Sequence, residues 1–330
     1  MAGVGASGFD TGNVHLRAGF FLFRTAQALN LDMRSVVITS ANGATAGLLI
    51  PLLRAKGYHT VGLIRREAAI GTDETVTDWM GAAGAGGEAG AALSNAARHA
   101  LAGADIIIHL SGDANAKNKA AYREANYTTT RLVADAIRGN GKKQRIVYLS
   151  YANASVKKKN LYLRYKGEAE KLLMDTGKEV VIFRCPVIVD APGTASKMDE
   201  LFIARKGKAV PVIGNGLLKM RPVYRGDVAR VVVAALEKGR PGIYELSGPE
   251  EMSLNSFIRL ANRDEDVKMR HIPGWMAFVL SYIIPGLSST FVDLMLHHTA
   301  SVYDPATYRE FGAAPTSIIQ IWGRGMDDRG

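Results

Sequence analysis

Short apolar runs and longer helical stretches alternate along the first half of the chain. Ser35–Thr39 and His59–Ile64 are short runs rich in β-formers, and both read as buried strands. Between them Ala44 to Lys56 reads as an apolar helix ended by Gly57, with Pro51 as a misfit that removes one backbone hydrogen bond. Ala104–Leu110 is apolar almost without interruption, as a parallel strand covered on both faces requires. Further helices are predicted over residues running up to Leu101, over Lys117–Arg138 and over Leu161–Thr176, and further strands over Arg145–Leu149 and Val180–Arg184. Gly81–Ala92, rich in glycine and alanine, reads as a surface loop. This order predicts an α/β fold, a doubly wound parallel sheet of the Rossmann type. After Pro186 the rhythm changes. Strand and helix return at Pro222–Leu236 and Gly242–Leu246, and from about Met252 a smaller, mostly helical lobe is expected.

The predicted organisation is an extension over residues 1–32, a Rossmann domain over 33–184 with later contributions from about 222–246, and a substrate lobe from 185–221 and 247–330. In the extension, Phe20, Phe21, Leu22 and Phe23 lie in a stretch with few acids, without the apolar core and cleavage pattern of a secretory signal. Met33 precedes the first strand by two residues, so the extension reads as dispensable, with an organellar presequence as the alternative. No stretch reaches the roughly 20 apolar residues of a membrane span. The longest, Trp275–Ile284, is bounded by Pro273 and Pro285 and is expected to form a buried helix; a lip of an apolar pocket or a peripheral membrane contact are the alternatives.

Charge and composition narrow the classes of ligand. With 41 Lys and Arg against 31 Asp and Glu, the 330-residue chain carries +10 and has a pI near 9.6, which favours anionic ligands. The basic runs Lys142–Arg145 and Lys157–Lys159 fall in predicted loops without interleaved aromatics, so nucleic acid is not the expected partner. One cysteine, Cys185, excludes a disulfide framework and fits a reducing, cytoplasmic setting. The histidines show no HExxH spacing, and no metal site is expected. A serine-nucleophile elbow is also missing.

Three features carry candidate chemistry. In the turn after the first strand, the positions of a three-glycine dinucleotide fingerprint read Ser40, Gly43 and Ala46. Only the central glycine, which lets backbone approach phosphate, is kept. A pyrophosphate would meet the free N–H groups opening the helix near Ala44 and Thr45. The second strand closes on Arg65 and Arg66 with no acid until Glu67, which favours NADP(H) over NAD(H), since arginine accommodates a 2′-phosphate. Finally, Tyr162 precedes Lys166 by one helical turn. An ammonium on the same face favours the phenolate, so Tyr162 is expected to serve as general acid or base with its pKa lowered.

These residues lie within a longer series. Val36–Thr45, Ala104–Gly112, Glu124–Thr130, Tyr162–Glu170, Phe183–Ile188 and Pro222–Ala229 follow one another in the order of the extended or atypical short-chain dehydrogenase/reductases, which this chain resembles over roughly residues 34 to 320. The resemblance implies a dinucleotide held by Thr39, Ser40, Asn42, Gly43, Ala44, Thr45, Leu110, Ser111, Gly112, Asn126, Pro186 and Val187, besides Arg65, Arg66, Tyr162 and Lys166. It implies hydride transfer to a small-molecule carbonyl or alcohol. Two departures stand out. The third catalytic hydroxyl of the family falls at Tyr151, leaving Ser150, one position early, as the substitute. Met220 stands where sugar-nucleotide enzymes of the family carry arginine, which weakens an epimerase or dehydratase reading. The arginine-ended second strand and the Tyr162–Lys166 segment are closer to the branch similar to the nucleotide-binding accessory subunit of respiratory complex I. That similarity implies a second reading, a non-catalytic NADPH binder in a larger complex; a homo-oligomer is also open.

Overall fold

The computed structural model describes residues 33–81, 92–192, 194, 199–205, 208–264, 266–297 and 301–323. The expectations for residues 1–32, and for most of the Gly81–Ala92 loop, lie outside the described residues. Seven strands form one sheet: β1 (Ser35–Thr39), β2 (His59–Leu63), β3 (Glu74–Val76), β4 (Ile106–His109), β5 (Arg145–Tyr151), β6 (Glu179–Cys185) and β7 (Gly242–Glu245). Their spatial order is β7-β6-β5-β4-β1-β2-β3, and every pairing is parallel. Chain order reverses between β1 and β4, where Ile38 pairs with Ile108 and Thr39 with His109. In such a sheet the crevice beyond the strand ends at this switch is where ligands bind.

Both faces of the sheet are covered, which is why its strands are apolar throughout rather than alternating. On one face Val36, Ile38, Ile106, Ile108, Val147 and Phe183 pack against α1 (Ala44–Ala55) and the later helix Arg225–Ala234. On the other, Val37, Ile107, Ile146, Tyr148 and Ile182 pack against α2 (Asn95–Gly103), α3 (Thr129–Ile137) and α4 (Leu161–Met174). Pro51 does not break α1. It lies on the solvent side with Gly47 and Leu48, so the carbonyl it leaves unpaired can turn to water.

From Ser35 onward the chain forms one compact unit. The helix expected over Lys117–Arg138 is divided: Lys119–Arg123, a π-helical turn Glu124–Thr128, then α3. After β6, short strands and helices build a third core around Val187, Val212, Met220, Leu254, Phe257 and Trp322. The Trp275 stretch is not the expected buried helix. Only Ala277 is buried in its helix Gly274–Leu280, and residues 282–286 are all exposed. No helix among the described residues is long and apolar enough to cross a membrane.

Candidate active site

β1 ends in a tight turn. Ser40 holds φ +53°, where a glycine would be free of strain, and its carbonyl accepts from Gly43 N–H at 2.9 Å. A side chain at 43 would come within 3.2 Å of that carbonyl, so the glycine permits the turn. Gly43 opens α1 with no side-chain cap and no acid in the first turn. The first N–H groups of the helix are thus free for an anion, and the helix dipole favours one. Arg225 donates to Thr45 Oγ1 at 2.8 Å and to Asp190 Oδ1 at 2.6 Å, which fixes a guanidinium beside this helix start.

A cleft of about 360 Å³ runs from this turn across the ends of β4, β5 and β6. It is lined by Ser40, Gly43, Ala44 and Thr45 from the turn, by Leu110 and Gly112 after β4, by Ser150, Tyr162 and Lys166, and by Pro186 and Val187. Eleven expected residues therefore meet in one cavity. The remainder lie elsewhere. Asn42 is exposed outside the lining, and Arg65 and Arg66 are exposed beyond β2, with Arg65 Nη1 paired to Glu124 at 2.8 Å. Thr39, Ser111 and Asn126 are buried beneath the cleft.

Those buried residues form its frame. Thr39 Oγ1 lies 2.8 Å from His109 Nδ1 and accepts from Leu110 N–H, so it ties β1 to β4 rather than facing a ligand. Asn126 accepts from Asp113 N–H and donates to the carbonyls of Asp113 and Tyr122, fixing the loop after β4 from the π-helical turn. That loop brings Gly112 against Lys166. A side chain at 112 would meet Lys166 Nζ at 2.7 Å and Asn126 Oδ1 at 3.1 Å, so only glycine leaves room for the ammonium.

Asn160 caps α4 by accepting from the N–H groups of Tyr162 and Leu163. Lys166 Nζ donates to the carbonyls of Leu149 at 3.0 Å and Ser111 at 3.2 Å, and lies 4.7 Å from the centre of the Tyr148 ring. Burial brings its pKa from 10.5 to about 8, against the pull of Glu170 and Cys185. Tyr162 departs from expectation. Burial, followed by Tyr151 and Tyr148, pushes its phenol well above the ordinary value instead of lowering it. The reason is local: the phenol is buried among the rings of Tyr151 and Tyr148, while the ammonium of Lys166 is directed to the carbonyls of Leu149 and Ser111.

Ser150 is also corrected. Its hydroxyl donates to Glu170 Oε1 at 2.6 Å, and Glu170 in turn receives Arg184 Nε at 3.0 Å and Nη2 at 2.6 Å. A hydroxyl whose proton is held by a buried carboxylate is no donor to a substrate carbonyl. The next residue, Tyr151, also lines the cleft, its ring centre 5.1 Å from that of Tyr162 in an edge-to-face arrangement. Sequence reasoning missed Tyr151 as a lining group, together with Cys185, whose thiol burial pushes up to about 12, and Arg225. It also missed Phe291, Leu294 and Met295, which close the far wall from a distant part of the chain. Tyr151 was signalled by its alignment with the family's hydroxyl, and Cys185 and Arg225 by their places in the Phe183–Ile188 and Pro222–Ala229 segments.

A family model described as NAD(P)H-binding matches residues 40–239, from the phosphate turn past the Tyr162–Lys166 helix. The chain belongs to this NAD(P)H-binding family. Its expected kinship with the extended short-chain dehydrogenase/reductases thereby stands, and a nicotinamide dinucleotide is its class of cofactor. The mitochondrial NADH dehydrogenase (ubiquinone) 1 alpha subcomplex subunit 9 of Arabidopsis thaliana is 27% identical over 163 residues, which are 48% of this chain and 40% of that protein. The match thus spans less than half of the curated relative. Among solved structures, MoeE5 in complex with UDP-glucose and NAD superposes with a TM-score of 0.65 at 16% identity, over 88% of this chain and 96% of that one. UDP-glucuronic acid 4-epimerase from Bacillus cereus in complex with NAD gives 0.62 at 15%, over 87% and 95%. The Bordetella bronchiseptica enzyme WbmH in complex with NAD+ gives 0.62 at 19%, over 88% and 96%. Identities this low establish the fold alone.

Proposed function

We propose that this member of the NAD(P)H-binding family is an NADP(H)-preferring reductase of an apolar carbonyl compound. One observation carries the reading: Tyr162 and Lys166 line the same cleft as the free helix start at Gly43–Thr45. In this reading the N–H groups of Ala44 and Thr45, with Arg225, take the diphosphate, and the exposed Arg66 takes the 2′-phosphate. Lys166 takes the nicotinamide ribose. When bound, the nicotinamide supplies the hydride.

Tyr162 holds its proton at neutral pH, as a phenol does even at its ordinary value near 10, and burial, which raises it further, makes it a weaker acid than a free phenol. A protonated phenol is an acid, which suits reduction: its proton goes to the carbonyl oxygen as the hydride reaches carbon. Tyr151, which lines the same cleft, stands where the family's serine is expected. The substrate would lie against the lobe formed by residues 185–221 and 247–330. Val187, Leu218, Met220, Leu254, Leu294 and Met295 make the wall beside Tyr151 apolar, which supports an apolar substrate.

A second reading, a non-catalytic dinucleotide binder, is favoured by the capture of the Ser150 proton by Glu170 and by the match to a respiratory-complex subunit. The two separate in one experiment. NADPH and NADH are titrated against the purified chain, and NADPH oxidation is followed with apolar aldehydes and ketones. Turnover that falls by about 10²- to 10⁴-fold in Tyr162→Phe, with NADPH affinity kept, supports the reductase. Tight NADPH binding with no oxidation by any carbonyl supports the second reading, and no affinity for either dinucleotide ends both.

A further inference from the structure

The surface around Trp275 is apolar, exposed and bordered by positive charge. From Ile272 to Val292 no side chain is charged. Within that stretch Trp275 is 69%, Tyr282 85% and Ile283 70% exposed, with Val279 and Ile284 beside them. Isolated apolar residues on a surface are ordinary, but a contiguous group ending in an exposed Tyr-Ile-Ile-Pro turn is not. Folding leaves uncovered what the sequence suggests should be buried.

Next to this patch lies a cavity of about 700 Å³ walled by Leu201, Ile203, Ile272, Met276 and Leu280. Arg205, Lys208 and Arg270 stand on its lining, and no carboxylate does among the described residues. A whole chain carrying +10 adds long-range attraction of the same sign. Apolar groups that reach outward, aromatic side chains among them, and a ring of arginine and lysine are the two elements by which a protein lies on an anionic bilayer.

We propose that this face docks on a membrane of anionic phospholipid, with Trp275, Tyr282 and Ile283 entering the interface and Arg205, Lys208 and Arg270 at the headgroups. A second copy of the chain is disfavoured as the occupant, because the cationic rim would face its own like. The docking does not depend on catalysis and stands whether or not the cleft turns over.

The full chain is mixed with vesicles of phosphatidylcholine alone and of phosphatidylcholine with phosphatidylglycerol, and binding is read by sedimentation. Insertion is read by the fluorescence of Trp275, since Trp79 and Trp322 are buried. Binding is expected to the anionic vesicles above the neutral ones, to fall with salt, and to weaken about fivefold for each of Lys208→Gln and Arg270→Gln. The pair Tyr282→Ser and Ile283→Ser, at positions too exposed to affect folding, is expected to abolish insertion. Equal binding to both vesicles, no binding, or binding that survives the double substitution overturns the proposal. So does a concentration-dependent dimer broken by the same pair without vesicle binding, which would assign the face to a second copy.

Discussion

Lys166→Met isolates the most heavily burdened group in the cleft. The side chain is 3% exposed, and burial brings its pKa from 10.5 to about 8. At ~1.4 kcal/mol for each pH unit, the buried ammonium costs about 3 kcal/mol relative to the same lysine in the unfolded chain. The sign follows from proton binding. Between about pH 8 and 10.5 the unfolded lysine still holds its proton while the folded one has lost it. Stability contributed by this group therefore rises with pH across that window and is flat below it. Other groups act in the opposite sense: Cys185, pushed up to about 12, favours unfolding once the unfolded thiol ionises. The raw curve mixes both, and the difference between wild type and Lys166→Met removes what they share.

Urea unfolding from pH 7 to 10.5 is the assay. Wild type is expected to gain about 3 kcal/mol on the variant over the upper part of that range. At pH 7 the variant forfeits the two hydrogen bonds to Ser111 and Leu149, about 1 kcal/mol each, but no longer buries a charge. The two proteins should then be equal within about 1 kcal/mol, although the variant has lost its proposed ribose anchor. A difference that stays constant from pH 7 to 10.5 refutes the reasoning, for it would mean that Lys166 is no more desolvated folded than unfolded.

Three further outcomes are expected. Glu170→Ala should cost about 1–3 kcal/mol in urea unfolding, because the Ser150 hydroxyl loses its acceptor and Arg184, part-buried and still 3.8 Å from Glu245, loses its main partner; Arg184→Met in the same chain should recover part of the loss. Gly167→Ala and Gly47→Ala should have opposite signs: the first drives a methyl to 2.5 Å from the Ser155 carbonyl carbon and should lose about 1–3 kcal/mol, while the second meets nothing within 4 Å on the exposed face of α1 and should gain about 0.5–1 kcal/mol. Arg66→Ser should weaken NADPH by about tenfold or more in fluorescence titration and leave NADH unchanged, as the loss of one charge-assisted hydrogen bond implies.

The sheet was legible in the sequence because covering on both faces makes Ile106–Ile108 and Val180–Phe183 apolar without a break. Periodicity says nothing about partners, so the order β3-β2-β1-β4-β5-β6-β7 follows only from the family's pattern. β3 was missed since its Glu-Thr-Val is exposed and short. Within the site, Gly43, Tyr162 and Lys166 were legible from local spacing, which a turn or a helix converts directly into geometry. The Ser150–Tyr151 exchange depends on where β5 stops. The strand runs two residues past the predicted Leu149, pairing Ser150 with Arg184, and this extra length hands Ser150 to Glu170. Phe291 and Met295 approach from more than a hundred residues away, and no local signal exists for such a wall.

The polar residues beneath the cleft explain how so strained a turn keeps its place. Thr39 Oγ1 accepts from Leu110 N–H at 3.0 Å and from the Ser111 hydroxyl at 3.3 Å, so its own proton goes to His109 Nδ1. The other ring nitrogen, Nε2, then carries the hydrogen and donates to Thr130 Oγ1 at 2.9 Å. That tautomer requires a neutral ring, and burial, aided by the Lys166 charge, brings the His109 pKa to about 3. A protonated ring would present a donor at Nδ1, and Thr39 would lose its acceptor. Ser40 joins the same chain through Ser111 at 3.0 Å. The phosphate turn, the end of β4 and α3, through Thr130, are therefore held by one continuous run of hydroxyls and an imidazole. The same Ser111 offers its carbonyl to Lys166. Placement of the proposed ribose anchor and of the phosphate turn is one structural problem in this fold, answered mostly by residues buried beneath the cleft.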